Sequence, residues 1–249
     1  MNNTTIQLFI IFLLFILFFG IIIYFTPIKK WFEIKKLSSI KNLRKSIGLS
    51  IEHGKGLHIS LGKSNLNNIH GAASFIGLTT LKQIIDQSIL SDQPPVTTCG
   101  SGEVSLLAQA RHRSISKERS STGTSESSNV YLTGPTNMSY ISGTMPLSSD
   151  QNLSTQVLVG NIGPEIGLLI DASERKKNFT LAATDSLEGQ AVSFVCSDEV
   201  LIGEEIFSLP AQLENKYVFT ISLLIQDILR WSIIIVIFLI ALLKISGIL

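Results

Sequence analysis

The stretch "TTCGSGEVSLLAQ", Thr97 to Gln109, has the residue types of a strand that ends in a glycine turn and opens a helix. α/β proteins often hold phosphate at such a turn. The chemistry here argues against that ligand. A nucleoside-triphosphate loop needs Gly-Lys-Ser/Thr at the helix start, so that the lysine meets the β and γ phosphates and the hydroxyl meets magnesium. After "CGSG" this chain has Glu103. The dinucleotide fingerprint G-x-G-x-x-G finds its first two glycines in Gly100 and Gly102, but Ser105 stands at the third. A carboxylate in the first turn also occupies the positive end of the helix dipole and repels a phosphate.

Later turns repeat the choice of an acid. Glu165 follows Pro164, Asp185 precedes Glu188 by three residues in a capping-box spacing, and Asp198 stands beside Glu199. One reading makes these acids helix caps, each worth about 0.3–1 kcal/mol. The other makes Glu103, Glu165, Asp185 and Asp198 the lining of an acidic crevice at the carboxyl edge of a sheet, suited to a cation, a metal ion or ribose hydroxyls.

Other constellations are weaker. His53, His58, His70 and His112, with Cys99 and Cys196, lack the C-x-x-C or H-x-x-x-H spacing that sets two ligands on one face, so no metal site and no cofactor are expected. Cys99 lies at a strand end, yet the histidine nearest to it in sequence, His112, falls about two and a half turns down the next helix, too far to serve as a fixed base. No G-x-S-x-G elbow occurs. No catalytic residue is assigned.

The elements that must position these residues alternate. Leu57, Ile59 and Leu61 alternate with His58 and Ser60 as in a half-buried strand, after a turn "EHGKG" and a shorter run ending near Ile51. A helix capped at Asn67 or Asn68 runs to about Leu90, with Phe75, Leu78, Leu81, Ile85 and Ile89 on one face. Then "PVTTCG" leads into "GEVSLLAQAR", "VYLTG" into "PTNMSYIS", "TQVLVG" into "GPEIGLLIDASER", "FTLAAT" into "DSLEGQ", and "AVSFVCSD" into "EVLIGEEIFSL". Strands alternating with helices across short loops predict an α/β fold, a mostly parallel sheet wrapped by helices. Right-handed crossovers bring the strand-to-helix turns to one sheet edge. Ser114 to Ser128, nine of whose fifteen residues are Ser or Thr, has no apolar period and predicts a surface loop.

The apolar fraction of 45% is high for a soluble domain, and the excess sits at the two ends. Ile6 to Phe25 carries no charge and is long enough to cross a hydrocarbon core of about 30 Å as a helix. Uncharged "MNNTTIQ" before it and "TPIKKWFEIKK" after it predict a retained anchor, not a cleaved signal peptide. Trp231 to Leu249, with Lys244 its one charge, predicts a second transmembrane helix flanking the domain. Lys29, Lys30, Lys35, Lys36, Lys41, Arg44 and Lys45 form a basic collar with Glu33 alone against it, which places the middle domain in the cytoplasm and both termini outside. Apolar residues at 28, 31, 34, 37, 40 and 43 repeat every three, so the stripe winds round a helix. Two short turns broken near Ser38 and Ser39, with lysines at anionic headgroups, are expected.

The resulting organisation is a transmembrane anchor over 1–27, a juxtamembrane segment over 28–47, a cytoplasmic α/β domain over 48–226 and a transmembrane helix over 227–249. From Ser46 to Leu229 there are eleven Lys or Arg against eighteen Asp or Glu, an acidic balance that argues against nucleic acid as a partner. The phrases "HGKGLHISLG", "GLTTLKQIIDQSILSDQPPVTTCGSGEVSLLAQ", "VLVGNIGPEIGLLIDA", "SDEVLIGEEIFSLPA" and "QDILRWSIIIV", in that order, resemble a family of membrane-associated bacterial proteins of unknown function, frequent in the Chloroflexota. The resemblance implies a membrane protein with a cytoplasmic α/β domain and assigns no site residue. In those relatives the position of Cys99 is usually glycine and that of Gly100 acidic, which further weakens Cys99 as a nucleophile. The expected partners are the lipid bilayer and a protein of a membrane assembly or a second copy of the chain. The expected function is an interaction or scaffold module of the inner membrane, with ligand binding or catalysis at the acidic crevice as the alternative.

Overall fold

A computed structural model of the chain describes residues 37–63, 65–88, 91, 93–119, 129–214 and 217–245. The Ile6–Phe25 anchor and Lys29, Lys30, Lys35 and Lys36 of the collar lie outside those residues. Two compact units emerge, one of residues 36–215 and one formed by the flanks.

The larger unit begins with helix α1 (Ser38–Glu52) and continues β1 (Gly56–Gly62), α2 (Gly71–Gln87), β2 (Val96–Cys99), α3 (Gly102–Arg119), β3 (Val130–Leu132), α4 (Asn137–Ser148), β4 (Leu153–Asn161), α5 (Ile166–Glu174), β5 (Phe179–Thr184), α6 (Leu187–Cys196), β6 (Glu199–Val200) and α7 (Glu205–Glu214). Among the described residues the sheet has six strands in the order β3-β2-β1-β4-β5-β6, every pairing parallel. This is a doubly wound sheet, and its order reverses between β1 and β4.

The alternation in β1 divides the core. Leu57, Ile59 and Leu61 pack with Val157 and Val159 of β4 under α1, α2, α3 and α7. On the opposite face Leu158 and Ala182 pack with Tyr140 and Ile141 of α4 and Leu169 and Ile170 of α5. His58 and Ser60 project to this second face, where His58 Nε2 shares a hydrogen bond with Thr98 Oγ1 at 3.0 Å and Ser60 Oγ meets the Tyr140 hydroxyl.

Several expected elements are corrected. The segment 38–52 is one helix, so the run ending near Ile51 is helical, and its buried Ile40, Leu43, Ile47 and Ser50 recur at spacings of three and four and share a face; the break expected near Ser38 and Ser39 falls where this helix starts after the extended Leu37, and the turn expected before it lies outside the described residues. The helix therefore belongs to the domain and lies along the amino edge of the sheet. Ser50 Oγ hydrogen-bonds Thr155 Oγ1 at the start of β4 at 2.8 Å, and Asn42 Nδ2 donates to Glu199 Oε1 at the start of β6 at 2.6 Å. The stretch "AVSFVC" completes α6 and is not a strand: Gly189, Gln190 and Ser193 face inward, and tertiary packing overrides the β-preference of its valines and phenylalanine. The Ser-rich stretch is helical through Arg119 at its start, continuing α3. In α2 the buried face uses Leu78, Leu81, Ile84 and Ile85, while Phe75 is exposed.

Within this unit the first described residue, Leu37, lies beside α7. The Leu37 N–H donates to Gln212 Oε1 at 2.9 Å, and the Arg44 guanidinium donates to the carbonyl of Leu213 at 2.8 Å and to that of Gln212. The flanking unit contains helix α8 (Tyr217–Ile245), within which Ile221–Ala241 has a mean hydropathy of 2.2. Among the described residues it is the one helix long and apolar enough to cross a membrane by length and composition. On α8 Arg230 Nη1 lies 3.8 Å from Asp227 Oδ1, at the i, i+3 spacing that sets two side chains on one helix face.

Candidate functional site

Where β1 and β4 end, the chain leaves toward opposite faces. Gly62 stands opposite Asn161 and has φ of +70°, and a Cβ there would lie 2.7 Å from Asn161 N, so only glycine lets the two strand ends meet this closely. The Lys63 N–H donates to the Asn161 carbonyl at 3.1 Å. Beyond this point the β1–α2 connection, the turns after β2 and β3 and the last residue of β4 line an open cleft of about 480 Å³. It lies at the carboxyl edge, at the reversal of strand order, where open α/β sheets take their ligands. Its polar lining comes from Lys63, Asn65, Asn68, His70, Asn137 and Asn161; Ser101 and the glycines beside it form the β2 side, and Leu132 and Pro135 form an apolar wall.

Two side-chain pairs hold this lining. The Lys63 ammonium donates to Glu165 Oε1 at 3.3 Å and to the amide oxygen of Asn137, the first residue of α4. Glu165 is buried and also accepts the Gly163 N–H at 3.2 Å. His70 Nδ1 is 2.7 Å from Asp185 Oδ2, and Asp185 Oδ1 accepts from Asn161 Nδ2 at 2.8 Å. Tyr140, one helical turn beyond Asn137, receives the Gly62 N–H on its hydroxyl at 3.1 Å, so α4 grips the Gly62–Lys63 corner at two points. Burial pushes the Tyr140 hydroxyl up to about 12, and it stays protonated.

The four acids expected to line the crevice do not converge. Glu165 and Asp185 stand behind the lining, Glu165 already held by the Lys63 ammonium and the Gly163 N–H and Asp185 by the His70 ring and the Asn161 amide. Glu103 sits in the first turn of α3 as expected, but its carboxylate accepts the Leu66 N–H at 3.1 Å and ties the β1–α2 connection to α3. Asp198 belongs to the opposite edge: "AVSFVC" being helical, Asp198 precedes β6, and its Oδ2 accepts the Thr180 N–H near the start of β5 at 2.8 Å. Nor is Asp185 a helix cap, since Ser186 caps α6 by accepting from the Gly189 N–H. Among the described residues no three His, Cys, Asp or Glu side chains group to hold a metal ion. The cleft lining itself contains no carboxylate.

The opening motif has a structural explanation. A Cβ on Gly100 would lie 2.6 Å from Lys63 Cα, and the Gly100 N–H donates to the Gly62 carbonyl at 2.9 Å. The glycine lets the β2–α3 turn close onto the Lys63 corner. Cys99 is fully buried in the first core cluster, which pushes its thiol up to about 12, so it is no nucleophile.

Sequence reasoning missed Lys63, His70 and the four asparagines. The available signal was "GKSNLNNIH", a polar, amide-rich connection directly after the first strand. Its weight depends on the strand order, which periodicity does not reveal.

With this geometry in view, the chain belongs to the DUF6754 family, a domain of unknown function whose profile matches residues 1–248. No curated protein and no solved structure matches it.

Proposed function

We propose that this DUF6754 chain is a membrane-anchored α/β module that acts by binding a small polar ligand in the cleft at the carboxyl edge of its sheet. The observation that supports this reading is convergence: side chains following β1 and β3, the last side chain of β4 and the turn after β2 meet where the strand order reverses. The ligand is neither a metal ion nor a simple cation, since the carboxylates that would take one are engaged elsewhere. In this reading α8 and an N-terminal anchor hold the chain in a bacterial inner membrane, with the domain in the cytoplasm and both termini outside. The collar lysines meet anionic headgroups.

Thermal unfolding of the full chain in detergent, screened against nucleosides, sugars, phosphate and magnesium, tests the reading. At least one of the nucleosides, the sugars or phosphate should raise the melting temperature with concentration, and Asn65→Ala, which alters an exposed lining residue, should reduce that rise; a rise with magnesium alone would contradict the reading. No shift from any small polar compound, with constant co-purification of one membrane protein, would contradict it.

That second outcome belongs to the interaction or scaffold reading. It draws on Leu187, Phe194 and Val195 of α6, which are 81%, 66% and 81% exposed. Cys196 beside them is exposed and reduced, a native handle. A bifunctional maleimide applied to intact membranes should then trap one discrete species through Cys196, and a smear or no product counts against this reading.

A further inference from the structure

Resting on the cleft reading above, we infer that the ligand is a neutral, polyhydroxylated ring, a sugar or the sugar of a nucleoside, seated between the amides of Asn65, Asn68, Asn137 and Asn161 and the apolar wall of Leu132 and Pro135.

Three features of the lining select this chemistry. Each amide offers two N–H donors and a carbonyl acceptor, and four amides around one cleft match the mixed donor and acceptor pattern of vicinal hydroxyls. Asn137 already accepts from Lys63 and Asn161 already donates to Asp185, so their remaining capacity is oriented by fixed neighbours. Asn65 and Asn68 are exposed on the opposite rim.

Charge removes the anionic alternatives. The Lys63 ammonium is 3.3 Å from the Glu165 carboxylate and the His70 ring 2.7 Å from that of Asp185, so both basic side chains of the cleft face a carboxylate. A phosphate would have to compete with two carboxylates already in place, and Glu103 stands in the first turn of α3. A neutral ligand meets no such competition.

Shape supplies the third argument. Leu132 is 58% exposed although it ends a strand, and with Pro135 it gives the cleft one apolar side. A pyranose, furanose or nucleoside ring is apolar on its face and polar at its rim. A volume of about 480 Å³ falls within the range of small-ligand sites, roughly 300–1,000 Å³.

Titration calorimetry on the full chain in detergent tests the inference with D-ribose, D-glucose, adenosine, sodium phosphate and magnesium chloride as separate probes. The expected result is saturable binding of at least one of the first three. Its Kd should change less than twofold between 50 and 500 mM salt and weaken about tenfold in Asn68→Ala and in Leu132→Gln. Both substitutions are at exposed positions, and an unchanged melting temperature without ligand confirms folding. Ribose and adenosine separate a free sugar from a nucleoside. Binding of phosphate without any hydroxylated ring overturns this inference and leaves the cleft reading standing, and binding of magnesium alone overturns both. Binding of none of the five overturns the inference too, and a screen in which no other small compound shifts the melting temperature then removes the cleft reading with it.

Discussion

At the scale of single residues the account rests on who holds whom. Lys63 neutralises Glu165, whose side chain is only 5% exposed. Removing the ammonium with Lys63→Met leaves a buried carboxylate with the Gly163 N–H as its one described donor. Because Lys63 is partly exposed, the expected cost is about 2 kcal/mol, below the range for a fully buried pair. Urea unfolding of the full chain measures it, and Glu165→Gln in the same background should recover most of the loss. His58 sets a pH dependence. Burial holds its ring at about 4, so it is neutral in the folded chain, while the unfolded chain takes up a proton near 6.5. Between those values the unfolded state binds more protons, so stability rises with pH and falls on acidification. From pH 7 to pH 5 His58 should cost about 2 kcal/mol, and His58→Gln should remove that share of the loss. An equal loss in the variant contradicts the assignment. The two cysteines should also separate: at neutral pH Cys196 reacts with a thiol reagent, and Cys99 reacts only after unfolding.

At the scale of elements, the two glycines of "CGSG" make opposite predictions. Gly100→Ala drives a Cβ to 2.6 Å from the backbone at Lys63 and should cost several kcal/mol or prevent folding. Gly102→Ala meets nothing within 4 Å at a helix start and should leave stability equal or raise it by about 0.5–1 kcal/mol. Melting temperatures of the two variants decide, and equal losses would contradict the packing argument. Helix α1 gives a sharper contrast. If it were a headgroup-bound collar, Leu43→Ala would be nearly silent; as a core helix with Leu43 fully buried, it should lose about 2–5 kcal/mol. The parallel α/β class and β1 to β5 were legible because apolar runs bounded by glycine and proline leave few alternatives. Helix α1 was not, because a period of three inherited from residues 28–37 obscured the 40, 43, 47 face. Nor was α6, whose Val192, Phe194 and Val195 favour strands in isolation. The site was legible as an edge but not as a set of residues. Acids were visible at the turns, yet only the fold shows that Lys63 and His70 hold two of them and that Asp198 is at the other edge.

At the scale of the whole molecule, the two edges of the sheet differ. Residues 37 and 212–213, through which both flanks attach, meet beside the amino edge that α1 covers. The cleft lies at the carboxyl edge of the same sheet. The proposed topology is open to a direct check: a C-terminal tag should be cleaved by external protease in intact cells, and a protected tag would contradict it. The central claim is that the carboxyl-edge cleft is where this chain meets its ligand. Amide hydrogen exchange of the full chain, with and without the small-molecule fraction of the cells that make it, tests this most directly. The prediction is slowed exchange around the ends of β1, β2, β3 and β4, over residues 62–71, 100–105, 132–137 and 161–165. Unchanged exchange in those segments, with protection appearing on α6 instead, would contradict it.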